Sequence, residues 1–266
     1  MTIAENINIL GNYCGKRDVE KLTAENLQKK YNIPQADVMV LFGGSILCGG
    51  DVLAGAIEHR IAKHFIIVGG AGHTTPALRA KMNKAYPEIK TDHLSEAEIF
   101  NSYLKHRYSI QADYIETKST NCGNNITFLL ELLEKENIAC NHIILSQDAT
   151  MQYRMEMGMR KYCPNMDIIN FATYHAVVQG QKNSLHYSTD IWGMWDMERY
   201  ISLLLGEIPR LKDDENGYGP QGKDFIAHVD IPKSVENAFD ELKQDYSDLV
   251  RTANPEFATA KEMSPI

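Results

Sequence analysis

What the chain lacks narrows its chemistry first. Its five cysteines (Cys14, Cys48, Cys122, Cys140, Cys163) include no C-x-x-C, so they suggest neither a zinc cage nor a disulfide framework. Scattered and odd in number, they read as small buried hydrophobes. No H-E-x-x-H occurs and no G-K-[ST] closes a phosphate loop, so the zinc-protease helix and the Walker mode of holding ATP are set aside. A G-x-S-x-G elbow is absent too, which removes the usual serine-hydrolase setting. Positive charge is scarce: 27 Lys and Arg face 35 Asp and Glu, a net charge of -8. Nucleic acid is therefore not an expected partner, because holding a phosphate backbone needs a concentrated positive surface. No stretch approaches the roughly 20 apolar residues that a membrane span requires. The opening MTIAENINILGNYCGKRDVEKL has no basic segment leading into an apolar core. A soluble, cytoplasmic chain without a membrane partner is the expectation.

What is present is an alternation. DVMVLFGG (37–44) precedes DVLAGAIEHRIAK (51–63), and HFIIVGGAG (64–72) precedes TPALRAKMNKAY (75–86), where Thr75 and Pro76 read as cap and first turn. SEAEIFNSYLKHRY (95–108) opens with Ser95 and Glu98 at capping-box spacing. ADYIET (112–117) leads to NNITFLLELLEKEN (124–137), and NHIILSQ (141–147) leads to ATMQYRMEMGMRKY (149–162). DIINFAT (167–173) is a fifth apolar run. Short apolar runs alternating with helical periodicity indicate βαβ units around a sheet buried on both faces. The fold class is α/β: a Rossmann-like, doubly wound, mostly parallel sheet of about five strands with extra N- and C-terminal helices. Residues 1–35 read as an N-terminal helical segment, 36–180 as the core, and 181–266 as C-terminal helices. Within the last, 188–206 and 234–251 are helical, and 207–232, rich in Pro, Gly and charge, forms an irregular arm packing on the core.

In such a sheet, ligands collect beyond the carboxyl ends of the strands, at the point where strand order reverses. Four loops would meet there. The first carries Gly43, Gly44 and Ser45, and the second Gly69, Gly70, Gly72 and His73. The third, STNCGNN, carries Ser119, Asn121 and Asn125; the fourth carries Ser146, Asp148 and Arg154. Glycine pairs ending two adjacent strands would let a ligand meet bare backbone. Neither loop has the G-x-G-x-x-G spacing of a dinucleotide fingerprint, so NAD in that mode is not expected. A metal site built from Asp51, His73 and Asp148 is conceivable, but nothing in their spacing asks for one, and no metal is expected.

The segments VLFGGS (40–45), IIVGGAG (66–72), SEAEIF (95–100), STNCGNN (119–125) and ILSQDATMQYR (144–154) together resemble the YdcF-type branch of the family that also contains SanA and ElyC. The resemblance covers about residues 36–180, and GEIPRL, GYGPQG and HVDIP in the tail are similar to the YdcF branch in particular. Cys122 and Asn124 stand where the family motif has Thr and Glu, and the histidine of its last motif is missing. The resemblance implies a Rossmann-like fold and S-adenosylmethionine as a candidate ligand, with no established reaction.

Three functional expectations follow. The first is binding of S-adenosylmethionine or a related nucleoside, as an atypical methyltransferase if the protein is a catalyst. The second is an enzyme acting on phosphorylated or cell-envelope-derived small molecules, with Arg154 and the helix beginning near 149 taking the anion. The third is a non-catalytic sensor or assembly partner whose 207–232 arm docks a second subunit, as in a homodimer.

Overall fold

The computed structural model describes residues 1–250 except Ser45 and His73. Five strands form one parallel sheet: β1 (Ala36–Phe42), β2 (Ala62–Val68), β3 (Tyr114–Glu116), β4 (His142–Ser146) and β5 (Asp167–Asn170), in the order β3-β2-β1-β4-β5. Among the described residues the helices are α1 (Ile3–Cys14), α2 (Ala24–Tyr31), α3 (Cys48–Glu58), α4 (Thr75–Ala85), α5 (Glu96–Tyr108), α6 (Cys122–Lys135), α7 (Gln152–Tyr162), α8 (Met197–Leu211) and α9 (Lys233–Asp245). The doubly wound α/β reading holds.

The central strand shows why both faces must be covered. Every residue of β1 is buried. Met39 and Leu41 pack with α3, α4 and α5 through Leu53, Leu78, Met82 and Phe100. Val38, Val40 and Phe42, with the opposite parity, pack with α6 and α7 through Ile126, Leu129, Met155 and Met159. This two-sided burial follows from the pleat, which points successive side chains to opposite faces. From β1 the chain winds outward through β2 to β3, then crosses to the other side of β1 for β4 and β5. The reversal between β1 and β4 is the switch point of the sheet.

A third apolar layer joins α1, α8 and α9 to the residues that follow β5. Here the structure departs from the sequence reading. Asp196, not a residue near 188, caps α8 by accepting a hydrogen bond from the Arg199 N–H. The helix then continues through Gly206 and Pro209 to Leu211. Those two helix breakers are overridden because Leu205, Ile208 and Leu211 are buried against α1 and α9. The irregular stretches are therefore 188–196 and 212–232, and 207–211 belongs to the helix. A two-stranded antiparallel ribbon, β6 (Val178–Gln179) with β7 (His186–Tyr187), was not anticipated. The capping box of α5 forms as expected, with Ser95 and Glu98 each bonding the other's backbone. No helix among the described residues is long and apolar enough to cross a membrane.

Asp37 ties β1 to β4 at the amino edge of the sheet. Its carboxylate accepts the Asn141 and His142 N–H groups and the Lys63 ammonium at 2.9, 3.0 and 2.7 Å. Burial works against its charge, but these donors prevail and hold its pKa at about 2, below the ordinary 3.8. The stability this contributes is complete above pH 3.8 and is lost as pH falls toward 2. Asp37→Asn should therefore flatten the acid limb of the stability curve in that window, read by urea denaturation at stepped pH; an unchanged limb would contradict the assignment.

Candidate functional site

The two glycine pairs end neighbouring strands, as the sequence suggested, but the protein itself fills most of the space they leave. A Cβ on Gly43 would lie 2.5 Å from Glu96 Oε2 and 2.8 Å from Glu96 Cβ. One on Gly69 would meet Gly43 Cα at 3.0 Å and Glu96 Cβ at 3.1 Å. On Gly70 it would strike the Ser119 carbonyl oxygen at 2.1 Å. The start of α5 is docked into this gap: the Glu96 and Ala97 N–H groups bond the Gly70 and Gly69 carbonyls at 2.9 and 2.8 Å. Glu96 Oε1 accepts the Thr74 and Thr75 hydroxyls at 3.1 and 2.9 Å. Burial raises the pKa of this carboxyl above its ordinary value, although the two hydroxyls and Arg79 favour its charge. Thr75 thus serves Glu96 and also receives the Gly72 N–H, instead of capping α4 as its sequence position suggested.

Gly44 and Gly72 are different. A Cβ at Gly44 would meet only Gln147 Oε1 at 3.4 Å, and one at Gly72 only the Thr120 carbonyl at 3.3 Å. Gly44 faces a small hollow at the switch point, lined also by apolar Leu41, Phe42, Ile46 and Phe100, by Gly49, and by Gln147, Asp148 and Thr173. The centre of the hollow has about 10 Å³ of free space, about the room one water needs. Gln147 stands on its floor, donating to the Gly43 carbonyl at 3.2 Å and accepting the Asp148 N–H at 2.6 Å. Thr173 also lines the hollow, and its hydroxyl is buried and has no hydrogen-bond partner among the described residues. A native structure seldom leaves such a group unmatched, because its desolvation costs about 1–3 kcal/mol.

Asp148 is the anionic centre of this edge. Its Oδ1 accepts the Thr150 N–H and hydroxyl and the Tyr174 hydroxyl at 2.9, 2.8 and 2.7 Å. Its Oδ2 accepts the Trp195 indole N–H at 2.8 Å. Cys48, at the start of α3, is pushed up to about 12 by burial and by the charges of Asp148 and Asp51, so it is a thiol and not a nucleophile. Lys81, whose pKa burial lowers, donates to the Gly193 carbonyl at 2.8 Å and lies 4.4 Å from the Trp195 ring.

The remaining predicted residues divide. Ser119 is buried and its Oγ accepts the Gly70 N–H at 3.1 Å, which holds the second and third loops together. Asn121 caps α6 by accepting the Asn124 N–H at 2.9 Å, and Asn125 is buried in the first turn of that helix. Ser146 is fully buried and donates to the Phe171 carbonyl at 2.8 Å, which leaves it no catalytic setting. Arg154 is buried in a two-pronged pair with Glu207 of α8, at 2.5 and 3.0 Å. Its fork is taken, so it offers nothing to an incoming anion. Ser45 and His73 lie outside the described residues. Among the described residues no group of three or more His, Cys, Asp or Glu is arranged to hold a metal.

Sequence reasoning missed Glu96, Gln147, Thr173 and Trp195. Glu96 was visible only as part of a helix start, and Thr173 only as the last residue of a strand. Trp195 sits in a stretch read as helix. Gln147 carried the clearest signal, since it follows the end of β4 directly, next to Asp148. No protein-family model matches the chain.

The two kinds of glycine separate by substitution. Gly70→Ala should lower the midpoint of thermal unfolding sharply, because its Cβ meets fixed backbone. Gly44→Ala should leave the midpoint within a degree or two, in line with surface-like changes of about 0.5 kcal/mol. Equal losses in scanning calorimetry would contradict the distinction.

Proposed function

We propose that this chain binds S-adenosylmethionine or a related nucleoside at the carboxyl edge of its sheet, beside the β1–β4 switch point. One observation carries the reading: a small hollow, apolar but for Gln147, Asp148 and Thr173, lies at that reversal, and the buried Thr173 hydroxyl has no partner among the described residues. Ligands of open parallel sheets bind at such reversals, and a buried donor without a partner marks where a ligand atom or water belongs. The open side of Gly44 gives a ligand access to backbone at the same point. The resemblance in the loop segments 40–45, 66–72 and 144–154 supports the choice of nucleoside. The acidic residue that usually holds ribose hydroxyls after the second strand is absent from IIVGGAG, which favours an atypical pose.

If the protein is a catalyst, these residues favour orientation over acid–base chemistry. Cys48 is held as a thiol, and both oxygens of Asp148 are already hydrogen-bonded. A transfer of a methyl group from a sulfonium needs no strong base when the acceptor is held in line, because proximity and orientation supply much of the acceleration.

Calorimetric titration of ligand-stripped protein with S-adenosylmethionine, S-adenosylhomocysteine and ATP tests the reading. Selective binding of the first two, weakened about tenfold or more in a folded Gly44→Val variant, is the expected result. No heat with either nucleoside would overturn it.

A further inference from the structure

Segment 188–196 lies across the site and bonds three of its polar groups. The Trp192 carbonyl accepts the Cys48 N–H at the start of α3, at 3.3 Å. The Gly193 carbonyl accepts the Lys81 ammonium at 2.8 Å. The Trp195 indole N–H donates to Asp148 Oδ2 at 2.8 Å. The segment therefore places two acceptors on two donors and one donor on a carboxylate. Gly193, at φ +78°, makes the tight passage: a side chain there would lie 2.8 Å from the Leu47 nitrogen. The Trp192 ring rests against Tyr86 and Tyr103, at centroid distances of 6.0 and 5.3 Å. The segment itself is poorly buried. Residues 188–190 and Asp196 are exposed and 191–195 only half-buried, and no regular secondary structure holds them. Local opening is expected where backbone contacts are few and solvent is near.

The groups under the segment form a matched set. A helix-start N–H and an ammonium suit a carboxylate, and the freed oxygen of Asp148 suits an ammonium. Thr173, which also lines the hollow, keeps a buried hydroxyl without a partner among the described residues when the segment is down. An α-amino-acid group carries the complementary pair of charges on one carbon.

We propose that segment 188–196 is a strap that mimics and excludes the α-amino-acid end of the ligand, and that this end enters by displacing the strap from Cys48, Lys81 and Asp148. The inference rests on the nucleoside reading only for the rest of the ligand. It specifies which part of S-adenosylmethionine is recognised here, and why a thioether nucleoside without the amino-acid end would leave the strap closed. The equilibrium between closed and open strap reduces the apparent affinity by the fraction of molecules that are open.

The chain has two tryptophans, Trp192 and Trp195, and both lie in the strap. Acrylamide quenching of tryptophan emission in the full chain therefore reports strap opening alone. S-adenosylmethionine should raise the quenching constant about twofold or more, whereas methylthioadenosine, which lacks the amino-acid end, should not. L-methionine at millimolar concentration, against sodium chloride at equal ionic strength, supplies the amino-acid end without the nucleoside. A rise with L-methionine supports the strap even if no nucleoside binds, which separates this inference from the previous reading. Calorimetric binding of S-adenosylmethionine with unchanged quenching overturns the strap and leaves the nucleoside site standing. No rise with either amino-acid probe overturns it as well.

Two further readouts guard against a merely structural role. Trp195→Phe removes the indole N–H and should tighten binding of S-adenosylmethionine about threefold or more; unchanged or weaker binding counts against the strap. Amide exchange at Cys48 should proceed by local opening, about 100-fold faster than at Val40 and insensitive to low urea. Exchange at Cys48 only through global unfolding overturns the proposal whatever the ligands do.

Discussion

The site depends on how closely the ends of β1 and β2 approach one another. Gly43 and Gly69 leave too little room for a side chain, and the methylene stem of Glu96 closes the gap from the start of α5. This contact sets three things at once. It fixes where α5 begins, because the first N–H groups of that helix bond the Gly69 and Gly70 carbonyls. It positions the second loop, because Thr74 and Thr75 donate to the same carboxylate. It also leaves Gly44, one residue further on, as the glycine of the first pair that faces the hollow. Most of the glycine at this edge therefore serves packing, and little open space remains beside Gly44.

Beyond that contact the edge is a layered arrangement of polar groups. Gln147 and Asp148 leave β4 already committed, one to the Gly43 carbonyl and the other to Thr150, Tyr174 and Trp195. The α1–α8–α9 layer holds the far side of the same residues, with Arg154 and Glu207 locking α7 to α8. A buried pair of this kind is strongly destabilising when one partner is removed, by about 3–5 kcal/mol. Its role is to hold one helix against another, not to receive a ligand. The strap is the lightly held element of this edge, made of turns and half-buried aromatics between a two-stranded ribbon and a capped helix. Rigid loops with one displaceable cover suit a site that opens only to a ligand able to replace the contacts of the cover.

The sheet was legible in the sequence because its signals are local. Apolar runs such as VMVLF and HIILS, each followed by a helical stripe, give strand, helix and parallel pairing directly. The four loops at the carboxyl edge were legible for the same reason, since each follows the end of a strand. What each loop residue touches was not legible. Ser146 and Arg154 looked available, yet each is satisfied by a partner far along the chain, Phe171 in one case and Glu207 in the other. Trp195 and Thr173 were passed over because their importance comes from contacts across the fold, with Asp148 and with the hollow. Gly206 and Pro209 misplaced the end of α8 because burial of Leu205, Ile208 and Leu211 outweighs local propensity.

The most direct measurement is a crystal structure of the full chain grown with S-adenosylmethionine. The account predicts ligand density against Gly44 and the Thr173 hydroxyl, with its carboxylate on the Cys48 N–H and Lys81 and the strap lifted from Asp148. Ligand bound elsewhere, with Trp195 still bonded to Asp148 and the hollow empty, would contradict it.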